Sequence, residues 1–128
     1  MQTRCEFRYF SDDGSEEIKA VYDGGSKELK AKFLSRVTHL RSLGIQNWRE
    51  PHFKPLHGEC SGLFEIRFKA DRVQQRPIGY FLEDNKFVIL FWAIEKGGKF
   101  VPKSACKTAN ARKKLVQSHG EKAKLLWV

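Results

Sequence analysis

Phe87 to Ile94 reads Phe-Val-Ile-Leu-Phe-Trp-Ala-Ile, eight apolar residues with no polar alternation. A run of that length, rich in branched and aromatic side chains, is a strand buried on both faces. Such a strand needs a neighbour on each side and side chains above and below it, so it puts a sheet at the centre of the core. Just before it, Gln74–Glu83 has strand composition and Asp84-Asn85 supplies a tight turn, so the two segments pair as a hairpin. Phe64, Ile66 and Phe68 alternate with Glu65, Arg67 and Lys69. Leu63–Lys69 is therefore a third strand, with one apolar face and one face whose charged groups stand about 7 Å apart.

Helical spacing organises the rest. Ser15 can cap a short helix with Glu16 and Glu17 in its first turn, stopped by Gly24-Gly25. Leu29, Phe33, Val37 and Leu40 mark a second helix from Ser26, with Gly44 as its C-terminal cap, and the two helices form a hairpin. Glu6–Phe10 is a short opening strand, and Ile45–Ser61 reads as a long irregular connection. Pro102 can sit in the first turn of a last helix reaching Ser118, with Val101, Ala105, Ala109 and Val116 inward. Arg112 falls in that inner stripe with no reason visible in the sequence. His119–Val128 is basic, then apolar, and either packs back or forms a tail. The order strand, helix, helix, three strands, helix defines an α+β fold, one domain over residues 1–128, with helices on one face of a small, largely antiparallel sheet.

Charge narrows the partner. Residues 1–95 hold 15 Lys/Arg and 14 Asp/Glu, whereas residues 96–128 hold 9 Lys/Arg and one acid, Glu121. A positive field confined to one end of a chain of net charge +9 suits a polyanion or an acidic protein; a solvated basic helix is the plainer alternative. Cys5, Cys60 and Cys106 are odd in number and far apart, which reads as buried, reduced thiols. No run of 18 apolar residues is present, and Met-Gln-Thr-Arg-Cys-Glu has no apolar leader core, so a cytoplasmic protein without a membrane partner is expected.

From Leu56 onward the motifs have a recognisable order. They are Leu56, then Gly62-Leu63-Phe64-Glu65-Ile66-Arg67-Phe68, Arg76 with Tyr80-Phe81, the apolar strand ending in Glu95-Lys96, and Pro102-Lys103 opening a helix with Ala105, Ala109 and Arg112-Lys113-Lys114. This half of the chain resembles the RelE/ParE/HigB superfamily of bacterial toxins, nearest its phage-derived, HigB-like branch. It departs from the family text in carrying Gln75 before Arg76, glycines at Gly97-Gly98, and a gap, Asp71-Arg72-Val73-Gln74, that lengthens the hairpin.

The resemblance implies the toxin of a type II toxin–antitoxin pair. The activity it implies is a metal-independent mRNA endonuclease, acting on or off the ribosome, with no cofactor. The implied partner is a cognate antitoxin, a helix-turn-helix protein from an adjacent reading frame. The RNA 2′-hydroxyl attacks the neighbouring phosphate, so the protein must hold the backbone, stabilise developing charge and move protons. Arg67 and Arg76 are the leading phosphate ligands, since a guanidinium is a fixed, bidentate cation; pairing with Glu65 and Glu83 is the plainer role. Lys96 adds charge near the reacting phosphate, and Lys69, Lys99, Lys103, Lys107 and Lys114 are expected to hold RNA. Proton transfer is open. Glu65 is a base or an orienter of Arg67, Tyr80 a donor or a core residue, and His119 the histidine best placed by sequence. His39 reads as structural, and His52 with His57 makes a poor metal pair. Phe100 and Trp127 are either base-stacking or core aromatics. Two other outcomes remain: a gyrase-binding toxin of the ParE kind, and a catalytically inactive RNA-binding relative.

Overall fold

The computed structural model describes residues 4–83 and 85–128. The first three residues of the opening segment, and residue 84 of the expected hairpin turn, lie outside the described residues. The elements are β1 (Glu6–Phe10), α1 (Glu17–Asp23), α2 (Lys27–Ser42), β2 (Phe53–Pro55), β3 (Phe64–Ile66), β4 (Phe68–Ala70), β5 (Val73–Leu82), β6 (Lys86–Lys96), β7 (Lys99–Val101), α3 (Ala105–Ser118) and β8 (Ala123–Leu125). The sheet runs β2-β3-β5-β6-β1-β8, with β4 against β5 and β7 against β6.

The apolar run is central, as its lack of alternation requires. β6 lies between antiparallel β5 and parallel β1, and Phe87 through Leu90 are inaccessible to solvent. Adjacent strand residues face opposite ways, and Trp92 and Phe91 show what covers each face. Trp92 meets Phe33 of α2 at 4.8 Å between ring centroids, whereas Phe91 lies under Arg112 of α3 at 5.4 Å. Helices therefore cover both faces of the sheet, not one. The architecture is mixed, with three α-helices and eight strands among the described residues, in keeping with α+β. α1 joins the two sides, through Tyr22 against Phe33 and through Glu17 paired with Arg112 at 2.7 Å.

Arg112 now has its reason. Its guanidinium donates to Glu17 and to the Leu90 carbonyl at 2.9 Å, and lies over the Phe10 and Phe91 rings. It is a cation packed on aromatic faces within an otherwise apolar stripe.

Several expectations are corrected. Ser26 does cap α2, accepting from the Leu29 amide at 3.0 Å, but Leu43 rather than Gly44 closes that helix, and α1 starts from Glu16 with no side-chain cap. The connection after α2 contains β2, which pairs with β3. β5 begins at Val73, leaving a two-residue turn, Asp71-Arg72, both at positive φ, so the hairpin is not lengthened. α3 begins at Ala105, after Pro102. The C-terminal segment packs back: β8 pairs with β1, and Trp127 meets Tyr9 at 4.9 Å, making it a core aromatic.

The thiols are also corrected. Cys60 and Cys106 form a disulfide between the turn after β2 and the first turn of α3, with Cα atoms 5.3 Å apart; Cys5 is free. The cysteines are 46 residues apart, and only the return of α3 across the sheet brings them together.

At Ile78/Gly79 the β5–β6 register shifts, because Phe91 and Ile89 are the successive partners and Leu90 is the extra residue. Gly79 lies tight against β6, where an added Cβ would come within 2.2 Å of the Val88 carbonyl and 2.8 Å of the Phe87 ring. Gly79→Ala is expected to destabilise the fold by about 3 kcal/mol, the upper end for overpacking, read as a lower urea midpoint with an unchanged slope.

Candidate nucleic-acid interface

The strand expected from Leu63 to Lys69 is present as β3 and β4, with Arg67 between them. The Arg67 amide donates to the His52 carbonyl at 2.9 Å, and its carbonyl accepts from Arg36 Nε of α2 at 2.9 Å. β3 ends before this point and β4 starts after it, but both pair with β5 in one register, from Glu65 opposite Ile78 to Phe68 opposite Gln75.

Register places the charged side chains together. Glu65 is opposite Ile78, Gln74 is opposite both Lys69 and Glu95, and Arg76 is two residues on from Gln74. These positions share the sheet face that α3 covers further along. Arg76 is only 3% exposed. Its Nε lies 3.0 Å from Glu95 and 3.5 Å from Glu65, and its other nitrogens donate to the Gln75 carbonyl at 2.9 Å and to Gln74 at 3.3 Å. Arg67 Nε lies 3.1 Å from the same Glu65 oxygen, without the alignment of a hydrogen bond, and Arg67 Nη1 reaches Glu50 at 3.1 Å. The two arginines therefore converge on Glu65, as parity suggested. Their remaining carboxylate partners are Glu95 and Glu50, while Glu83 pairs with Lys86 instead.

Glu65 is 4% exposed, and burial pushes its carboxyl above the ordinary value even though Arg76 and Arg67 pull it down. Its geometry is that of an orienter, holding both guanidinium groups at once.

Arg67 also lines two hollows. One, of about 280 Å³, includes Arg36, His52, Lys69 and Arg76. The other, of about 240 Å³, includes Lys54, Glu65, Glu95 and Phe100. Gly98 and Phe100 continue into a third hollow with Lys99 and Lys103, and Glu59 links that one to a groove along α3 with Lys107 and Lys114. Every residue expected to bind RNA borders this succession of hollows.

Other candidates fall elsewhere. Lys96 is exposed at the β6–β7 turn and lines neither hollow beside Arg67. Tyr80 is buried beneath Lys113, whose Nζ lies 5.3 Å from the ring centroid. His119 is exposed at the C-terminal cap of α3, and His57 lies on a separate hollow with Trp48 and Arg49. His39 touches His52 edge-on at 4.9 Å. His52 itself lies in the Arg67 hollow, which the sequence did not indicate; Pro51-His52 falls in a stretch with no periodic pattern. Among the described residues no helix is long and apolar enough to cross a membrane.

The lysines and arginines thus form a track of hollows running from the sheet edge to the basic helix. Residues 22–114 match the family model described as Phage derived protein Gp49-like (DUF891), and the chain belongs to that family. No curated protein and no solved structure gives a significant match.

The cluster predicts a contrast in stability. Arg76→Ala strands two carboxylates beside a buried vacancy and is expected to cost about 3 kcal/mol or more. Arg67, whose side chain is 25% exposed, is expected to cost about 1 kcal/mol or less on replacement by Ala. Urea titration of both variants checks the difference. Glu65 adds a pH signature. Because its carboxyl is raised above 4.5, the folded chain holds this proton more tightly than the unfolded chain does. Its contribution to stability is complete below that value and is lost as pH rises through the raised one. The stability of wild type relative to Glu65→Gln should therefore fall with rising pH across that window.

Proposed function

We propose that the chain is the toxin of a type II toxin–antitoxin pair and cleaves mRNA without a metal. Membership of the Gp49-like family, which is associated with toxin–antitoxin systems, supports the toxin role. The observation that carries the nuclease reading is Arg67, at the junction of two hollows on one cationic track.

In this reading the lysine groove along α3 holds the RNA backbone, and the backbone runs past Phe100, available to a base, to Arg67. Arg67 binds the scissile phosphate with its solvent-facing edge. Glu65 and Arg76 keep that guanidinium from turning away, so its charge is already in place when charge develops on the phosphorane-like transition state. Lys96, exposed at the end of β6 beside the Gly97-Gly98 turn, is a second cation. The 2′-oxygen forms a bond to phosphorus as the bond to the 5′-oxygen breaks, leaving a 2′,3′-cyclic phosphate and a 5′-hydroxyl. An antitoxin with an acidic or amphipathic segment would cover the same track and block it.

Purified protein, with and without ribosomes, is expected to cut single-stranded mRNA and leave those ends. Arg67→Ala should slow cleavage at least about 100-fold while the chain stays folded. Replacing Lys107 and Lys114 together by Ala should lower the slope of log affinity against log salt by about 1.4, the share of two single-strand phosphate contacts. Intact RNA together with blocked gyrase supercoiling would refute the nuclease and favour a gyrase-binding toxin.

A further inference from the structure

The nuclease reading leaves the 2′-hydroxyl proton without a destination, and the hollow beside Arg67 contains one imidazole. His52 lines it together with Arg36, Lys69 and Arg76. The ring is fixed by its surroundings. Its own carbonyl holds the Arg67 amide at 2.9 Å, its amide donates to the Arg49 carbonyl at 3.1 Å, and His39 of α2 packs edge-on against it at 4.9 Å. Nδ1 is sealed from solvent and has no hydrogen-bond partner among the described residues.

The geometry points to His52 as the proton acceptor for RNA cleavage, an inference that rests on the nuclease reading. With Nδ1 sealed, exchange with the hollow falls to Nε2: the neutral ring keeps its proton on Nδ1 and offers the Nε2 lone pair. The charged groups around the hollow are Arg36 from α2, Arg67 and Lys69 from the β3–β4 segment and Arg76 from β5, with His39 against the ring; the carboxylates Glu50 and Glu65 are paired with Arg67 and Arg76. Burial first, then Arg36 and His39, hold the imidazole below its ordinary 6.5, so it stays neutral at physiological pH. A phosphate bound by Arg67 brings its adjoining ribose into the same hollow. The 2′-hydroxyl gives its proton to the imidazole as the 2′-oxygen bonds to phosphorus. The 5′-oxygen leaves with a proton taken from water, and the imidazolium returns its own proton to solvent.

The test uses the full chain and a single-stranded RNA oligonucleotide. His52→Gln, which keeps the polar shape but cannot take a proton, should lower kcat by about 100-fold or more while KM stays within a few-fold. The acid limb of the wild-type pH–rate profile should disappear, and added imidazole should restore part of the rate to His52→Ala. A second measurement does not depend on the variants folding. The His52 ring resonance of the wild type should move when an uncleavable 2′-deoxy oligonucleotide binds. Wild-type cleavage with a fully active His52→Gln, or an unmoved ring resonance on binding, would overturn His52 and leave the nuclease standing. A wild type that cleaves no RNA would remove both.

Discussion

A guanidinium buried in the middle of a sheet strand persists only if its charge and its N–H groups are satisfied locally, and Arg76 imposes that requirement here. It sits on β5, the strand that carries both the central β6 and the β3–β4 edge, so whatever satisfies it must come from those neighbours. Glu65 comes from one side and Glu95 from the other, while Gln74 and the Gln75 carbonyl take the remaining donors. The carboxylates that satisfy Arg76 are also the ones that line the hollow beside Arg67. Stability and site are thus built from the same charges, and loss of function on replacing Arg76 would not by itself locate the chemistry. Arg67, at the solvent-facing end of the cluster, separates the two.

The second dependence is on a backbone, not a side chain. The Arg67 amide reaches the His52 carbonyl in the register of the β2–β3 pairing, while its carbonyl is taken by Arg36 from the helix on the far face. The hollow beside it has side chains from α2, β3–β4 and β5 around it. The amide contact ties the position of Arg67 to that of His52 through a single backbone hydrogen bond, so a shift in either moves the other. Further along, the Asp71-Arg72 turn is docked on the start of α2, where Ser26 donates to the Asp71 carboxylate and Glu28 accepts from the Asp71 amide at 2.6 Å. The edge is therefore held at Arg67 and again at the Asp71-Arg72 turn.

What the sequence made legible follows from strong, local signals. Eight apolar residues without alternation identify a central strand whatever surrounds them. Leu29, Phe33, Val37 and Leu40 define the α2 stripe, and all four are buried. The alternation around Glu65 placed Glu65, Arg67 and Lys69 on one face, and parity put Arg76 in reach of them. The features that were not legible depend on tertiary placement. β2 is three residues long and includes a proline, too short to show a period. The partner of the Arg67 carbonyl is Arg36, 31 positions earlier in the chain. The disulfide needs α3 to return over the sheet, and Arg112 looked misplaced because its partners, Glu17 and the Leu90 carbonyl, lie on other elements. Within the site, the arginines were visible from residue type and spacing. His52 was not, because its surroundings come from α2, the β3–β4 segment and β5.

The charge arithmetic of the track divides the work between its two ends. Around Arg67, Arg36, Lys54, Arg67, Lys69 and Arg76 stand against Glu50, Glu65 and Glu95, so part of the positive charge at that end is paired. Along α3 the lysines have far fewer acids beside them, with Glu59 the one that borders the groove. On the proposed reading, affinity and its salt dependence belong mainly to α3, and the Arg67 end contributes position and a preorganised charge. For that division to work, the two ends must keep a fixed spacing. Glu59 and Cys60 occupy the turn between them, and Cys60 is bonded to Cys106 at the start of α3. Asn110 Nδ2 also donates to the Glu59 carbonyl at 3.2 Å. A covalent link and a hydrogen bond one helical turn apart hold the turn to the helix at two points. Two points resist rotation as well as separation, so the turn keeps its orientation against α3 and the lysine groove stays aligned with Arg67.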